Sequence, residues 1–290
     1  MLHPSTFSIV MYDAKEKAWG IVVASKFLAV GSVVPWARAN AGAVATQSFA
    51  NTTYGNRGLT LMEAGHSAEE TLALLLDDDP ERELRQVGLV DAQGRSATYT
   101  GSSCFVWAGG LSGDGFAIQG NILAGEQVIL AMEASLRENT EKTIIWRLYN
   151  ALLAGDQAGG DRRGKQSAAI LVVKAQAGYA GFNDRWVDYR VDDHHEPVKR
   201  LGELLNLHEL YFGKSPLEER VRLVGEPLRQ LQDIMAKFGY YRGRFHGEYD
   251  APTQTALRAF IGNENFEDRT NFDAGLIDRP VLEHLLSRFG

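Results

Sequence analysis

The densest chemistry in this sequence lies in Gly159-Gly160-Asp161-Arg162-Arg163-Gly164-Lys165-Gln166-Ser167. Gly159, Gly164 and Lys165 have the spacing of a phosphate loop. However, Gln166 stands where that loop needs Ser or Thr, and the predicted order is helix, loop, strand where a phosphate loop needs strand, loop, helix. Nucleoside triphosphate binding is therefore rejected. The guanidinium groups of Arg162 and Arg163 suit bidentate recognition of a carboxylate-bearing substrate, and an internal ion pair of Asp161 with an arginine, pinning the loop, reads equally well. Polar residues at Thr46-Gln47-Ser48, at Asn51 and at Gln119-Gly120-Asn121 follow predicted strand ends. They can supply donors to an oxyanion or substrate, or they can bond their own backbone in turns.

Two further groups draw blander readings. Asp192-Asp193-His194-His195 contains metal-ligand types, yet adjacent residues rarely converge on one ion. Pro197 opens a helix just after them, and acids at a helix entry are favoured by its dipole, so no metal is assigned. Cys104 lies in the apolar run Cys104-Phe105-Val106-Trp107 and reads as a buried, inert thiol.

These residues need elements to position them. Phe7–Tyr12 and Trp19–Ala24, separated by Asp13-Ala14-Lys15-Glu16, read as a β-hairpin, and Gly42–Thr46 as a third strand. The consecutive apolar residues of Gly20–Ala24 indicate a strand covered on both faces. Ser67 and Glu70 form a capping box for a helix that ends in Asp77-Asp78-Asp79-Pro80. Short strands follow at 86–91, 96–100, 104–108 and 116–119, helices at about 126–137 and 141–154, and strands at 168–173 and 186–191. A helix from Pro197 to Tyr211 ends near Gly213, and Lys214-Ser215-Pro216 reads as a linker. Strands, helices and strands in that order favour antiparallel sheets with helices packed outside, an α+β fold.

Composition narrows the function classes. The chain has 290 residues, 44% of them hydrophobic and 23% charged, which suits two folded domains. A net charge of −7 argues against nucleic acid or anionic membrane as a partner, since both demand a basic face. The single cysteine leaves no intrachain disulfide, and the N-terminus shows no export signal, so a cytoplasmic protein is expected.

Thr6-Phe7-Ser8-Ile9-Val10, Ala24–Ser32, Gln119-Gly120-Asn121 and above all the Gly159–Ser167 block resemble a bacterial family, the domain of unknown function 1028, over about residues 6–213. The resemblance implies an N-terminal nucleophile hydrolase-like fold: a four-layer αββα sandwich with two stacked antiparallel sheets between helices. It further implies Thr6 as nucleophile, with its own α-amine as base and Lys26 lowering its pKa by charge. In that reading Thr46, Gln47, Gln119, Asn121, Asp161, Arg162, Arg163 and Ser167 orient a small amide or peptide-like substrate, without cofactor or metal. Five residues precede Thr6, so cleavage between Ser5 and Thr6 or a different start would be required.

Beyond the linker, Leu231-Gln232, Gly239-Tyr240-Tyr241-Arg242-Gly243, Gly247-Glu248-Tyr249, Thr253, Ala256-Leu257 and Phe260 resemble a three-helix peptidoglycan-binding module over about residues 222–288. The expected organisation is thus 1–213 as a hydrolase-like domain and 214–290 as a helical domain. An amide-bond hydrolase is expected. The competing reading is a non-catalytic ligand-binding or assembly protein on the same fold, with a muropeptide as candidate ligand. Homo-oligomerisation is expected on general grounds.

Overall fold

The computed structural model describes residues 6–290. The expectation that residues 1–5 are removed lies outside the described residues. The chain divides into two compact units, the first ending at Gly202 and the second spanning Glu203–Gly290.

The first unit opens with β1 (Thr6–Asp13) and β2 (Ala18–Ser25), an antiparallel hairpin in which Thr6 faces Ser25. Asp13 closes its turn by accepting the N–H groups of Lys15 and Glu16, each at 3.0 Å. Next come β3 (Pro35–Arg38) and β4 (Gly42–Ser48), then α1 (Thr53–Glu63) and α2 (Ala68–Asp77). The capping box of α2 forms as read, with Ser67 and Glu70 bonding reciprocally. No such signal marks α1. It lacks a side-chain cap and contains Gly55 and Gly58, both poor helix formers. The glycines are there for packing, because a Cβ at Gly55 would enter the Trp36 ring and one at Gly58 would crowd Val44.

The strands β5 (Arg85–Asp91), β6 (Ser96–Thr100), β7 (Gly109–Gly113) and β8 (Phe116–Asn121) follow. The strand expected at 104–108 is therefore displaced to the glycine-rich segment after it. There Gly110 approaches the backbone of Ile118 more closely than a Cβ would allow. The unit continues with α3 (Gln127–Glu138), α4 (Ile144–Gln157), β9 (Ser167–Lys174) and β10 (Arg185–Val191), and runs into α5 (Pro197–Phe212).

All pairings are antiparallel, in a six-stranded sheet ordered β10-β9-β2-β1-β8-β7 and a four-stranded sheet ordered β3-β4-β5-β6. Alternation of side chains sets the layers. Val10, Ile21, Val23 and Ala169 pack against Ala43, Ala45 and Val90 of the other sheet. On the outer side of the small sheet, Val44, Val87 and Leu89 meet Tyr54, Leu59 and Leu75 from α1 and α2. Outside the large sheet lie α3 and α4, and Gly20 admits Leu148 and Ile144 of α4 so closely that a side chain there would clash. The result is an αββα sandwich.

The second unit contains β11 (Arg220–Arg222), α6 (Glu226–Lys237), α7 (Ala251–Asn263), β12 (Thr270–Asn271), β13 (Leu276–Asp278) and α8 (Arg279–Phe289). Its three helices close on Leu231, Met235, Leu257, Phe260, Val281 and Leu285. A small sheet ordered β11-β13-β12 joins them, too short to have left a period in the sequence. The last turns of α5 belong to this core, since Tyr211 stacks on Phe266 at 4.8 Å and Arg269 donates to the carbonyl of Glu209 at 2.8 Å. Buried Asp278 ties the unit together through Arg220 at 2.9 Å and Arg269 at 2.6 Å.

Candidate active site at the start of the central strand

Successive residues of a strand point to opposite faces, so Thr6, Ser8 and Val10 share the inter-sheet face of β1. Registers extend that face sideways. Thr6 pairs with Ser25 and Asn121, Ser8 pairs with Gln119, and Ser25 pairs with Ser167. One end of the layer between the sheets is thus polar, while the rest is the apolar core described above. Thr6 is completely buried, with its Oγ1 3.4 Å from Ser25 Oγ.

A hydrogen-bonded lattice spans the gap beside it. From β4, Gln47 Nε2 donates to the Thr6 carbonyl at 3.2 Å, to Gln86 Oε1 at 2.8 Å and to the Gln119 carbonyl at 3.3 Å. Its Oε1 accepts from Ser8 Oγ at 2.6 Å, and Ser8 Oγ in turn accepts from Gln119 Nε2 at 2.6 Å. Asn121 Nδ2 donates to Gln86 Oε1 at 2.9 Å, and Gln86 Nε2 donates to Thr100 Oγ1 at 2.9 Å and the Gly120 carbonyl at 2.8 Å. Gly88 leaves room for Gln119, whose Oε1 occupies the place a Cβ would take. Such a network is costly if half-made and rigid when complete.

The structure brings Thr6, Gln47, Gln119 and Asn121 together, and their amides bond protein groups. Thr46 is not among them. Its register partner is Val87 on the helical side, and its hydroxyl donates to the carbonyl of Asn51 at 3.2 Å. A single step along β4 turns it to the other face. Ser25 is the residue opposite Thr6. Lys26, one residue further on, is exposed, and its Nζ bonds the carbonyl of Lys165 at 3.3 Å. Ser167 donates to the carbonyl of Phe27 and accepts from Val30 N–H at 3.1 Å, so it shapes the loop after β2.

Of the two readings of the glycine-arginine loop, Asp161 follows the internal pair. Its carboxylate accepts Lys26 N–H at 2.8 Å, Arg163 N–H at 2.9 Å and the Arg163 guanidinium at 3.0 Å. Arg162 is exposed, and its backbone N–H is bonded to the carbonyl of Ile122 at 3.1 Å. Ser8, Ser25, Gln86 and Thr100 escaped the sequence reading. Two serines on alternate inward positions of apolar strands were the available signal, whereas Gln86 is recognised only once the sheets are stacked.

Other candidates lie elsewhere. Asp79, buried beyond α2, accepts Arg85 Nε at 2.9 Å, Tyr54 OH at 2.9 Å and Asn51 Nδ2 at 3.0 Å. Burial opposes its charge, and these donors outweigh burial, holding its carboxyl well below the usual range. Burial and the adjacent Asp79 push the Tyr54 hydroxyl up. Cys104 is buried, donates to the Arg85 carbonyl at 3.3 Å and has its thiol pushed up by burial. His194 and His195 lie ring against ring, with His194 Nδ1 accepting Glu196 N–H at 3.0 Å at the entry to α5. Among the described residues no cluster of His, Cys, Asp and Glu is arranged to hold a metal ion. No helix among them is long and apolar enough to cross a membrane.

Two stacked antiparallel sheets thus lie between helical layers, with a polar cluster at the start of the central strand. The chain belongs to the DUF1028 family, described as a "Family of unknown function", whose model matches residues 6–201 and so begins at Thr6 itself. Residues 211–285 match a second model, "Putative peptidoglycan binding domain". The crystal structure of protein SPO2555 from Silicibacter pomeroyi, a DUF1028 protein, is similar at 29% identity and a TM-score of 0.64, covering 71% of this chain and 89% of that one. Anbu (ancestral beta-subunit) from Yersinia bercovieri shows a distant likeness, with 10% identity, a TM-score of 0.32 and coverage of 73% and 99%. No curated protein matches.

Proposed function

We propose that the first unit is an amide-bond hydrolase of the N-terminal nucleophile type, acting on a small amide or peptide-like substrate through Thr6 after cleavage of the Ser5–Thr6 bond. The observation that carries this reading is the placement of Thr6. It is the first residue of the central strand, its side chain is directed between the sheets, and its carbonyl is gripped by Gln47. A free Thr6 α-amine would take the Oγ1 proton as Oγ1 attacks the amide carbonyl carbon. The carbon–oxygen bond forms, the carbon–nitrogen bond breaks, and the same proton leaves with the amine. Water then hydrolyses the ester, returning the acid and the threonine hydroxyl.

Lys26, following Ser25 on the neighbouring strand, is assigned the positive charge that favours the deprotonated amine and hydroxyl. Gln47, Gln119 and Asn121 are assigned the positioning of Thr6, because their amides already bond protein acceptors. The second unit, through its family match, is assigned a muropeptide ligand. A non-catalytic binding or assembly protein is the second reading, favoured by the complete burial of Thr6 in the intact chain.

Intact mass and N-terminal sequencing of untagged protein, combined with amide hydrolysis by wild type and Thr6→Ala, test the assignment. A chain starting at Thr6 whose turnover disappears in Thr6→Ala is the expected result. A chain retaining the residues before Thr6, with no turnover, would leave the binding protein.

A further inference from the structure

The charges bordering the Thr6 end are unevenly partnered. Arg163 is neutralised by Asp161 at 3.0 Å, and Lys165 by Asp156 at 2.7 Å and Glu196 at 3.2 Å. Asp193 accepts from Gln166 at 3.1 Å. Arg162 lies between these pairs, is exposed, and has no side-chain partner among the described residues. Among the described residues the Lys26 ammonium bonds a carbonyl oxygen, that of Lys165, and no carboxylate. In a chain of net charge −7, two cations at one strand end without carboxylate partners among the described residues are not explained by the fold of those residues.

The backbone of Arg162 is anchored. Its N–H donates to the Ile122 carbonyl at 3.1 Å, the adjacent Asp161 bridges to Leu123, and Asp161 also holds Lys26 N–H. Ile122 directly follows Asn121, the sheet partner of Thr6, so Arg162 stands beside the strand end that carries the proposed nucleophile. Ile122 N–H in turn donates to the Phe105 carbonyl at 3.1 Å. Phe105 and Val106 there are 47% and 73% exposed. A cationic fork and an apolar lip thus flank one end of the sandwich.

We infer that Arg162 is a specificity-determining residue and that the substrate is an amide bearing a free carboxylate next to an apolar group. The inference rests on the hydrolase reading above. A guanidinium offers a carboxylate two parallel N–H donors, a geometry that an ammonium cannot reproduce. Lys26 adds charge without that fork.

Kinetics on a matched pair test it: a dipeptide ending in phenylalanine as the free acid, and the same dipeptide as its C-terminal carboxamide. The readout is the ratio of their kcat/KM values in wild type, Arg162→Gln and Arg162→Lys. A charge-assisted bidentate contact corresponds to a preference for the acid of about 10- to 100-fold in wild type. The ratio should fall close to one in Arg162→Gln and stay between the two in Arg162→Lys, and it should shrink in wild type as salt is raised. Equal rates on both dipeptides in wild type, or an undiminished ratio in Arg162→Gln, would overturn the inference.

Absence of turnover on either dipeptide would count against the hydrolase reading. Calorimetric binding of the same pair then decides the carboxylate site separately. Acid-selective binding lost in Arg162→Gln supports it, and binding that ignores the carboxylate, or no binding of either dipeptide, refutes it.

Discussion

Replacing Gln47 by leucine removes a carboxamide that touches four groups across the inter-sheet gap while nearly preserving side-chain volume, so cavity formation contributes little. Some partners keep other bonds: Gln86 Oε1 still accepts from Asn121, and Ser8 Oγ still accepts from Gln119. The Ser8 hydroxyl proton loses its acceptor in a buried layer, a cost of about 1–3 kcal/mol, and the remaining lost bonds add roughly 1 kcal/mol. The expected destabilisation is therefore about 2–4 kcal/mol. Gln47→Glu sharpens the test, since its ionised carboxylate would oppose Gln86 Oε1 and the Thr6 carbonyl, and burial would raise its pKa. Its destabilisation should be largest at neutral pH and diminish as the pH falls through that raised pKa and the acid regains a proton to donate. All five tryptophans precede Gly202, so their fluorescence in a urea titration reports on the first unit. A loss below about 0.5 kcal/mol for Gln47→Leu, or a pH-independent deficit for Gln47→Glu, would refute the claim that this lattice fixes Thr6.

Three further outcomes follow from the same geometry. Gly88→Ala drives a methyl into Gln119 Oε1 and should cost about 1–3 kcal/mol by overpacking, measured in the same titration, with Gln119→Ala in the double variant relieving the clash. Asp79→Asn deprives Arg85, only 11% exposed, of its buried partner and leaves it Glu81 at 2.7 Å, so a loss of about 2–4 kcal/mol is expected at pH 7. Because Asp79 has a lowered folded-state pKa, its stabilisation is complete above the ordinary carboxylate range near pH ~4 and is lost as the pH falls below it. The stability of Asp79→Asn should accordingly vary less with pH in that acid range. Cys104, buried and with a raised thiol pKa, should react with a thiol reagent only as fast as the first unit opens, and rapid labelling of native protein would contradict its placement.

Local physics made parts of this fold legible. The β1–β2 hairpin, the capping box at Ser67 and Glu70 and the helix opened by Pro197 depend on residues close together in the chain, and each formed where the sequence placed it. The resemblance carried by Thr6–Val10 and the Gly159–Ser167 block led to the sandwich. Helix α1 was invisible because its glycines oppose helix formation locally and serve contacts with Trp36 and Val44 that exist only after folding. The choice between turn residue and site residue likewise waited on register: Thr46 and Gln47 are neighbours in the chain, yet one faces the helices and the other grips Thr6. The two roles open to Asp161 were separated when Lys26 N–H, distant in sequence, arrived at its carboxylate. What the sequence determined by itself was where the elements with a local cap, turn or period lie and which side chains can donate or ionise. Tertiary structure decided which of those side chains meet, because hydrogen bonds between two sheets depend on strand order, register and facing, none of which a local pattern contains.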